Sequence, residues 1–366
     1  MRILEIIPVL DEGGAERFVT DLSNSLAENN EVSLLILYPI NNQYASLSKD
    51  LQGVKLYSLN KKRGFSFFSM LKLYKLIRKI KPDVVHTHLN SIVYLIFPIL
   101  FLRKVSYVHT IHNDANVEAG GFINKMIRKI FFRFGLVKPI AISEESNNSF
   151  QTVYGFSTEI IYNARPKYIT SSDTLTAKKE IDFIRSSSNS KVIVNVARIS
   201  HQKNQLELIK AVNALNNQGC SIELVIIGPC VDDEIKKDIQ AELTSRIHLL
   251  GVRENPRDYM VAADAFCLSS IYEGMPITLI EAFSVGAIPI CTPVGGIKNM
   301  IEHNNNGLLF SGVDKESFIT GLSQFVGLSD AQIETIKENS RKSYLKYSMS
   351  ECCMAYERVM TKSLKQ

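Results

Sequence analysis

Lys191-Val-Ile-Val-Asn-Val-Ala197 runs into Arg198-Ile-Ser-His-Gln-Lys203-Asn204, and then into the helical pattern Gln205 to Asn216. The first segment is a short apolar run, as expected of a strand buried on both faces, and the middle segment is a polar turn. This strand–turn–helix order recurs along the chain. Downstream, strands are predicted at Ile222 to Ile227, Ile247 to Leu249, Ala265 to Cys267 and Ile288 to Cys291. Upstream, they are predicted at Arg2 to Val9, Val32 to Leu37, Asp83 to His88, Ser106 to Thr110 and Ile140 to Ser143, with a helix over Glu144 to Tyr154. Strands alternating with helices imply an α/β fold with parallel sheets covered on both faces. The Pro166 and Ser/Thr-rich stretch ending in Ser186-Ser-Ser-Asn-Ser190 separates the two series. It predicts a first domain over 1–165, a linker region over 166–190 and a second domain over 191–346. Two such halves are expected to leave a ligand cleft at the carboxyl ends of their strands.

A length of 366 residues suits two domains, and 45% hydrophobic with 22% charged residues is ordinary for a globular protein. The net charge of +5 is uneven. Residues 1–165 hold 20 Lys+Arg against 14 Asp+Glu, so the excess belongs to the first half. Six cysteines show no C-x-x-C spacing. Cys220, Cys230, Cys267 and Cys291 lie in or beside apolar runs and read as buried thiols, and Cys352-Cys353 as two helical side chains, which points to a reducing compartment. The apolar start is broken by Glu5 and lacks a small-residue cleavage site, so it reads as a first strand rather than a signal peptide. The longest apolar run, Ile92 to Leu102, is too short to span a bilayer.

Several residues carry candidate chemistry. Arg198 and Lys203 lie on a strand-to-helix turn, where two cations and a helix N-terminus make an anion site that a diphosphate fits. Their alternative is surface charge at a helix start. Glu273 and Glu281 stand eight apart in Ser270-Ile-Tyr-Glu-Gly-Met-Pro-Ile-Thr-Leu-Ile-Glu-Ala-Phe283, one before a helix start and one two turns in. Carboxylates in so apolar a stretch need polar partners, and hydroxyl-rich ligands would supply them. Gly13-Gly14 follows the first strand and lets backbone N–H groups approach a phosphate or sugar, but it does not match G-x-G-x-x-G. His86 and His88, two apart on a strand, share one face. With His109 and His112 they form a cluster that reads either as a metal site or as core histidines. No Asp-x-Asp occurs in the chain.

Taken together, Gly13-Gly14-Ala-Glu-Arg17, Asp83-Val-Val-His-Thr-His88, Arg198 with Lys203, Glu273-x7-Glu281, Val294-Gly295-Gly296 and Asn306-Gly307-Leu-Leu resemble the retaining glycosyltransferases of family 4. The motifs span nearly the whole chain in order, and Ser269 to Phe310 is the most specific part. The resemblance implies the GT-B fold, two Rossmann-like domains facing a central cleft, with the final helix within 347–366 crossing back to the first. It implies a nucleotide-sugar donor whose diphosphate meets Arg198 and Lys203. The ribose hydroxyls would meet Glu281. The transferred sugar would meet Glu273 and the backbone of Gly274, Met275, Pro276 and Ile277. Thr110-Ile-His112-Asn113 matches the family's sugar-facing histidine, with His109 as the other candidate. The turn at Gly228 borders the base, Val252 is a further donor-site candidate, and UDP is expected over GDP. A related His-x-His recurs in the family without a metal, so no metal or other cofactor is expected. Three departures stand out: Lys203-Asn204 where Lys-Gly is common, Gly228-Pro229-Cys230 where Gly-x-Gly is common, and Lys298-Asn299 where many relatives place a Glu.

Between Phe65 and Ile80, Lys72, Lys75 and Lys79 share one helical face and Phe67, Met70, Leu73, Tyr74, Ile77 and Ile80 another; Ile123 to Phe134 repeats the mixture. Such helices suit an anionic membrane surface, or else pack on the sheet with a solvated basic face. The membrane reading fits a cytoplasmic enzyme at the inner face of the cell membrane, acting on a saccharide or lipid-linked acceptor in surface-polysaccharide assembly. There is no nucleic-acid motif. Two alternatives remain: a metal-dependent hydrolase built on His86, His88, His109 and His112, and a sugar-nucleotide epimerase or binding protein.

Overall fold

The computed structural model describes residues 1–366 apart from 12, 42–44, 63, 171–172 and 365–366. The chain forms two compact units, Met1–Pro166 with Tyr347–Gln366, and Lys167–Lys346.

The first unit contains β1 (Arg2–Ile7), α1 (Gly14–Ala27), β2 (Glu31–Ile36), β3 (Lys55–Ser58), α2 (Phe67–Ile80), β4 (Val84–His88), α3 (Ile96–Phe101), β5 (Ser106–Ile111), α4 (Ala115–Ala119), α5 (Phe122–Arg133), β6 (Lys138–Ala141), α6 (Glu144–Tyr154) and β7 (Glu159–Ile160). Its strands form one parallel sheet in the order β3-β2-β1-β4-β5-β6-β7. The central strands are covered on both faces, so every residue of β1 after Arg2 is buried, Glu5 included.

The second unit contains α7 (Asp173–Ile184), β8 (Lys191–Val196), α8 (Gln205–Asn217), β9 (Ile222–Ile227), α9 (Asp233–Ala241), β10 (Ile247–Gly251), α10 (Pro256–Ala262), β11 (Ala265–Leu268), α11 (Ile277–Val285), β12 (Pro289–Cys291), α12 (Ile297–Met300), β13 (Leu308–Leu309), α13 (Lys315–Val326) and α14 (Asp330–Tyr344). Its parallel sheet runs β10-β9-β8-β11-β12-β13. Both sheets reverse strand order once, between β1 and β4 and between β8 and β11. Ligands of open α/β sheets bind beyond the carboxyl ends of strands at such points.

The last helix, α15 (Met349–Ser363), belongs to the first unit. Ser348 caps it, accepting from the Glu351 N–H, and Cys352, Tyr356, Val359 and Met360 are buried against α1 and β5. The Tyr356 hydroxyl meets Thr110 Oγ1 at 2.9 Å, and Asn30 donates to Glu357 at 2.7 Å.

The structure corrects three expectations. Residues 166–190 are not a linker: α7 buries Ala177 and Ile181, packs on α10, and belongs with the second unit from Lys167 onward. Cys230 is exposed and Cys220 half-buried; only Cys267 and Cys291 of those four are fully buried. Arg128 does not contribute to a solvated basic face. It is 1% exposed and paired with Glu118 at 3.0 Å. Leu51 to Pro82 contains nine Lys and Arg and no acid; one of these cations, Arg63, lies outside the described residues.

Candidate functional site

In the second unit the carboxyl ends of β8 and β11 bring Arg198, Lys203 and Glu273 onto neighbouring loops. After β8 the chain turns through Arg198 and a single helical turn, His201–Lys203, before α8. Asn204 joins the two with φ of +57°. Asparagine is among the non-glycine residues that most readily adopt this left-handed conformation. This explains why Asn can stand where Lys-Gly was expected: the turn needs the backbone conformation, and the Asn204 amide anchors it by donating to the Val313 carbonyl at 2.7 Å.

The loop after β11 is stitched to that turn. Ser269 Oγ donates to the Lys203 carbonyl at 2.8 Å, the Ile271 N–H to the Gln202 carbonyl at 2.8 Å, and Gln202 Nε2 to the Tyr272 carbonyl at 3.1 Å. Across this seam Lys203 Nζ meets Glu273 Oε1 at 2.5 Å, and Ser270 Oγ donates to the same oxygen at 2.6 Å. Among the described residues the exposed Arg198 guanidinium forms no ion pair. Arg198 is therefore a cation open to an anion, while Lys203 is a cation already held by a carboxylate.

Gly274 to Pro276 lead into α11, whose Pro276 cap offers no side-chain hydrogen bond. The first N–H groups of a helix lack intrahelical partners and carry the positive end of its dipole, so this terminus can receive an anion or a hydroxyl oxygen. Glu281, in the middle of α11, is 6% exposed. The loop after β12 closes over this segment: Gly296 N–H donates to the Gly274 carbonyl at 2.8 Å. A Cβ on Gly295, at φ +49°, would lie 1.7 Å from the Glu273 carbonyl oxygen. Only glycine permits that approach. Gly228, at φ +145°, is held likewise, since a Cβ there would lie 2.1 Å from the Ala197 oxygen beside Arg198. Val252 follows β10 and is exposed.

In the first unit, Gly13 caps α1, and the Glu16 carboxylate folds back so closely that a Cβ on Gly13 would collide with it at 2.1 Å. Gly14 opens the helix and is exposed. The histidines form a buried network on β1, β4 and β5, in which β-pairing sets Glu5 beside His86. Glu5 accepts from His86 Nδ1 at 2.9 Å and from His88 Nε2 at 2.8 Å. His86 Nε2 meets Thr110 Oγ1 at 2.8 Å, and His88 Nδ1 meets His112 Nε2 at 2.9 Å. Burial alone would raise the Glu5 pKa, but His86 and His88 more than offset this and bring it down to about 2. Burial lowers His88 well below the usual histidine value and brings His109 and His112 to about 4. His109 is a core residue, between Thr87 Oγ1 at 3.0 Å and Glu118 Oε1 at 3.3 Å.

Sequence reasoning did not anticipate Glu5, Glu118 or Arg128. Glu118 pairs with Arg128 and accepts from the His112 N–H at 2.7 Å, which ties α4 and α5 to the end of β5. An acid inside an otherwise apolar β1 was the available signal for Glu5. Its side chain lies on the same sheet face as the His-x-His of the neighbouring strand. Glu5, His86 and His88 hold three ligand atoms within 4.8 Å of one another, close enough for one metal ion. The same atoms are paired by hydrogen bonds that satisfy the carboxylate.

Comparisons with known proteins complete the picture. Residues 12–165 match the family model described as Glycosyltransferase Family 4, and residues 177–343 the one described as Glycosyl transferases group 1. The chain is 25% identical to the GalNAc-alpha-(1->4)-GalNAc-alpha-(1->3)-diNAcBac-PP-undecaprenol alpha-1,4-N-acetyl-D-galactosaminyltransferase of Campylobacter jejuni, over 96% of this chain and 94% of that protein. It is 28% identical to the UDP-Gal:alpha-D-GlcNAc-diphosphoundecaprenol alpha-1,3-galactosyltransferase of Escherichia coli, over 75% and 73%. Among solved structures, HepE of Anabaena in complex with UDP is similar with a TM-score of 0.82 at 18% identity, covering 99% of this chain and 100% of that one. A glycosyltransferase from Rickettsia africae is similar with a TM-score of 0.82 at 17% identity, covering 100% and 99%. These structural likenesses show the fold, which is GT-B.

Proposed function

Because the chain belongs to the group 1, family 4 glycosyltransferases, we propose that it moves a hexosyl or N-acetylhexosaminyl group from a UDP-sugar to a hydroxyl of a lipid-linked saccharide. Polysaccharide assembly is the matching setting. The observation that carries the reading is the Lys203–Glu273 ion pair just before α11, with the exposed Arg198 on the same turn as Lys203. Arg198 and Lys203 receive the diphosphate, Lys203 exchanging its carboxylate partner for phosphate oxygens. Glu273, released from Lys203, and the backbone N–H groups of Gly274, Met275 and Ile277 meet sugar hydroxyls. Glu281 takes the ribose hydroxyls, and Gly228 and Val252 border the base. In the first unit, Gly13 and Gly14 at the start of α1 are assigned to the donor, the Glu16 carboxylate that lies against Gly13 giving way to it, and His112 is assigned to a sugar hydroxyl. The UDP assignment draws on the UDP-galactose donor in the name of the Escherichia coli relative and the UDP bound to HepE.

The transfer proceeds with retention. The bond from the anomeric carbon to the diphosphate oxygen breaks while the acceptor oxygen bonds to that carbon on the same face. A phosphate oxygen takes the acceptor's proton. Charge grows on the departing diphosphate, where Arg198 and Lys203 stabilise it; a preorganised donor of this kind lowers the barrier by about 3 kcal/mol. No metal takes part in this scheme. Thermal shift with UDP, GDP and their sugar conjugates, with and without EDTA, tests it. A shift with UDP and one UDP-sugar, indifferent to EDTA and lost in Arg198→Ala and Glu281→Ala, is expected. A shift that EDTA abolishes, or one with GDP alone, would overturn the corresponding part.

A membrane-facing role for the first unit is part of the same reading. Phe65, Phe68, Phe101, Phe122, Ile123 and Phe134 are each more than 60% exposed. Helices α2, α3 and α5 border the common segment Leu89–Leu95. Lys72, Lys75, Lys79, Lys125, Lys129 and Arg133 stand on the same helices, in stretches without an acid. Exposed aromatics among cations match anionic headgroups over an apolar interior. Among the described residues no helix is long and apolar enough to cross a membrane. Vesicles containing phosphatidylglycerol should sediment the protein at low salt and release it at high salt. Failure to bind them at low salt would refute the docking role.

A further inference from the structure

We propose that Glu5 and His88 are positioning residues that lock His112 in the tautomer protonated at Nε2, so that Nδ1 is a hydrogen-bond acceptor committed to a sugar hydroxyl. The proposal rests on the assignment of His112 to a sugar made above and adds how that histidine recognises it.

With both rings neutral, the chain of donors allows one assignment. Glu5 is fully buried on β1 and its carboxylate can only accept. His88 Nε2, at 2.8 Å, must therefore carry a proton. Burial keeps the His88 ring neutral, so Nδ1 has only a lone pair. His112 Nε2 lies 2.9 Å from that lone pair and must donate to it. Burial keeps His112 neutral as well, so no proton remains for its Nδ1. His86 meets Glu5 and Thr110 and, among the described residues, makes no hydrogen bond to either His88 or His112, so it supplies no proton to this branch.

The ring is also fixed in place. Phe18 presents an edge-on contact at 5.7 Å, and Glu118 accepts from the His112 N–H at 2.7 Å. His112 Nδ1 is buried and, among the described residues, has no hydrogen-bond partner. An acceptor left in this state is costly, and a hydroxyl supplies the missing proton. A carboxylate or phosphate oxygen has no proton to give and would be repelled, so the arrangement selects a hydroxyl over an anion. That hydroxyl belongs either to the transferred sugar or to the acceptor saccharide.

The test is a long-range proton–nitrogen correlation spectrum of the full chain labelled at histidine, with His112 assigned by its loss in His112→Gln. Nδ1 should have the resonance of an unprotonated nitrogen from pH 6 to 8, and a proton on Nδ1 would overturn the proposal. UDP-glucose, UDP-galactose, UDP-GlcNAc and UDP-GalNAc are then added in turn, with UDP as control. Movement of the Nδ1 resonance with a UDP-sugar but not with UDP places the hydroxyl on the transferred sugar. Movement only when GlcNAc-diphosphoundecaprenol is added places it on the acceptor. Movement with neither refutes the role in recognition. His88→Phe, which keeps a ring in place, should give a mixture of both His112 tautomers. It should lower turnover at least tenfold with UDP affinity unchanged, and Glu5→Gln, which retains an accepting oxygen, should lower it less. Equal loss of UDP affinity would indicate a merely structural role. A wild-type chain that binds no UDP-sugar would instead sink the proposed function and leave the tautomer result standing.

Discussion

Replacing Lys203 with methionine keeps much of its length and removes its charge, which leaves Glu273 as a lone carboxylate. Both partners are nearly out of water, with side chains 17% and 8% exposed. Breaking a pair this buried costs about 3–5 kcal/mol, because the remaining charge is uncompensated. The Ser270 hydroxyl still donates to Glu273, so the lower end, about 3 kcal/mol, is expected. Over the 180 residues from Lys167 to Lys346 this corresponds to a fall in Tm of roughly 6–12 °C. The double variant Lys203→Met with Glu273→Gln contains no unpaired charge and should recover at least half of the loss, giving a coupling energy of about 2 kcal/mol. The chain has no tryptophan, so urea unfolding followed by circular dichroism is the suitable assay. Costs that simply add across the two substitutions would refute the pairing. UDP binding separates stability from function: the double variant should be more stable than Lys203→Met and still fail to bind UDP.

Other substitutions and conditions test further parts of the structure. Gly295→Ala drives a Cβ into the Glu273 carbonyl at a positive φ, so the loop must shift; UDP-sugar affinity should fall at least tenfold by calorimetry, with UDP affinity falling less. Arg128→Met leaves the Glu118 carboxylate, at 4% exposure, without its arginine and held only by His109 and the His112 N–H, and should destabilise the first unit by about 3 kcal/mol in chemical unfolding. His109 and His112 have folded pKa values of about 4, below the ordinary 6.5. Their contribution is therefore complete above pH 6.5 and is lost as pH falls towards 4, because the unfolded chain takes up the protons first. Glu5 and Glu118, lowered to about 2 from 4.5, extend the loss from pH 4.5 downward. Thermal melts should show the first unit weakening between pH 7 and pH 5, and a flat profile there would contradict the buried neutral histidines.

Elements with a long apolar or amphipathic signal are legible in the sequence. The strands Lys191–Val196 and Ile222–Ile227 and the helix Met349–Ser363 lie where their patterns place them. Lys55–Ser58 was not legible: it is an edge strand, half-exposed, with only one neighbour to bury it. The two-residue strands Glu159–Ile160 and Leu308–Leu309 are too short for any periodicity. In the candidate site, the residue types were readable but their pairings were not. Lys203 and Glu273 were assigned to different parts of a ligand, whereas the structure joins them to each other across 70 residues of sequence. Arg128 looked like one more cation on a basic helix because its partner, Glu118, belongs to a different helix. Such contacts depend on how loops meet at the ends of strands, and local patterning contains no record of that.

The return of α15 to the first unit has a consequence for synthesis. The strands and helices up to Pro166 emerge from the ribosome while the helix that covers α1 and β5 has not yet been translated. At ordinary elongation rates the intervening 180 residues take roughly 10–40 s. During that interval the face that will receive Tyr356, Val359 and Met360 is bare, and Thr110 lacks the hydroxyl it will bond. The nascent first unit is thus a natural client for chaperones until the chain is finished. A message truncated near its 3′ end would yield a protein with an intact second unit and a permanently open first one, a substrate for proteolysis rather than a weakened enzyme.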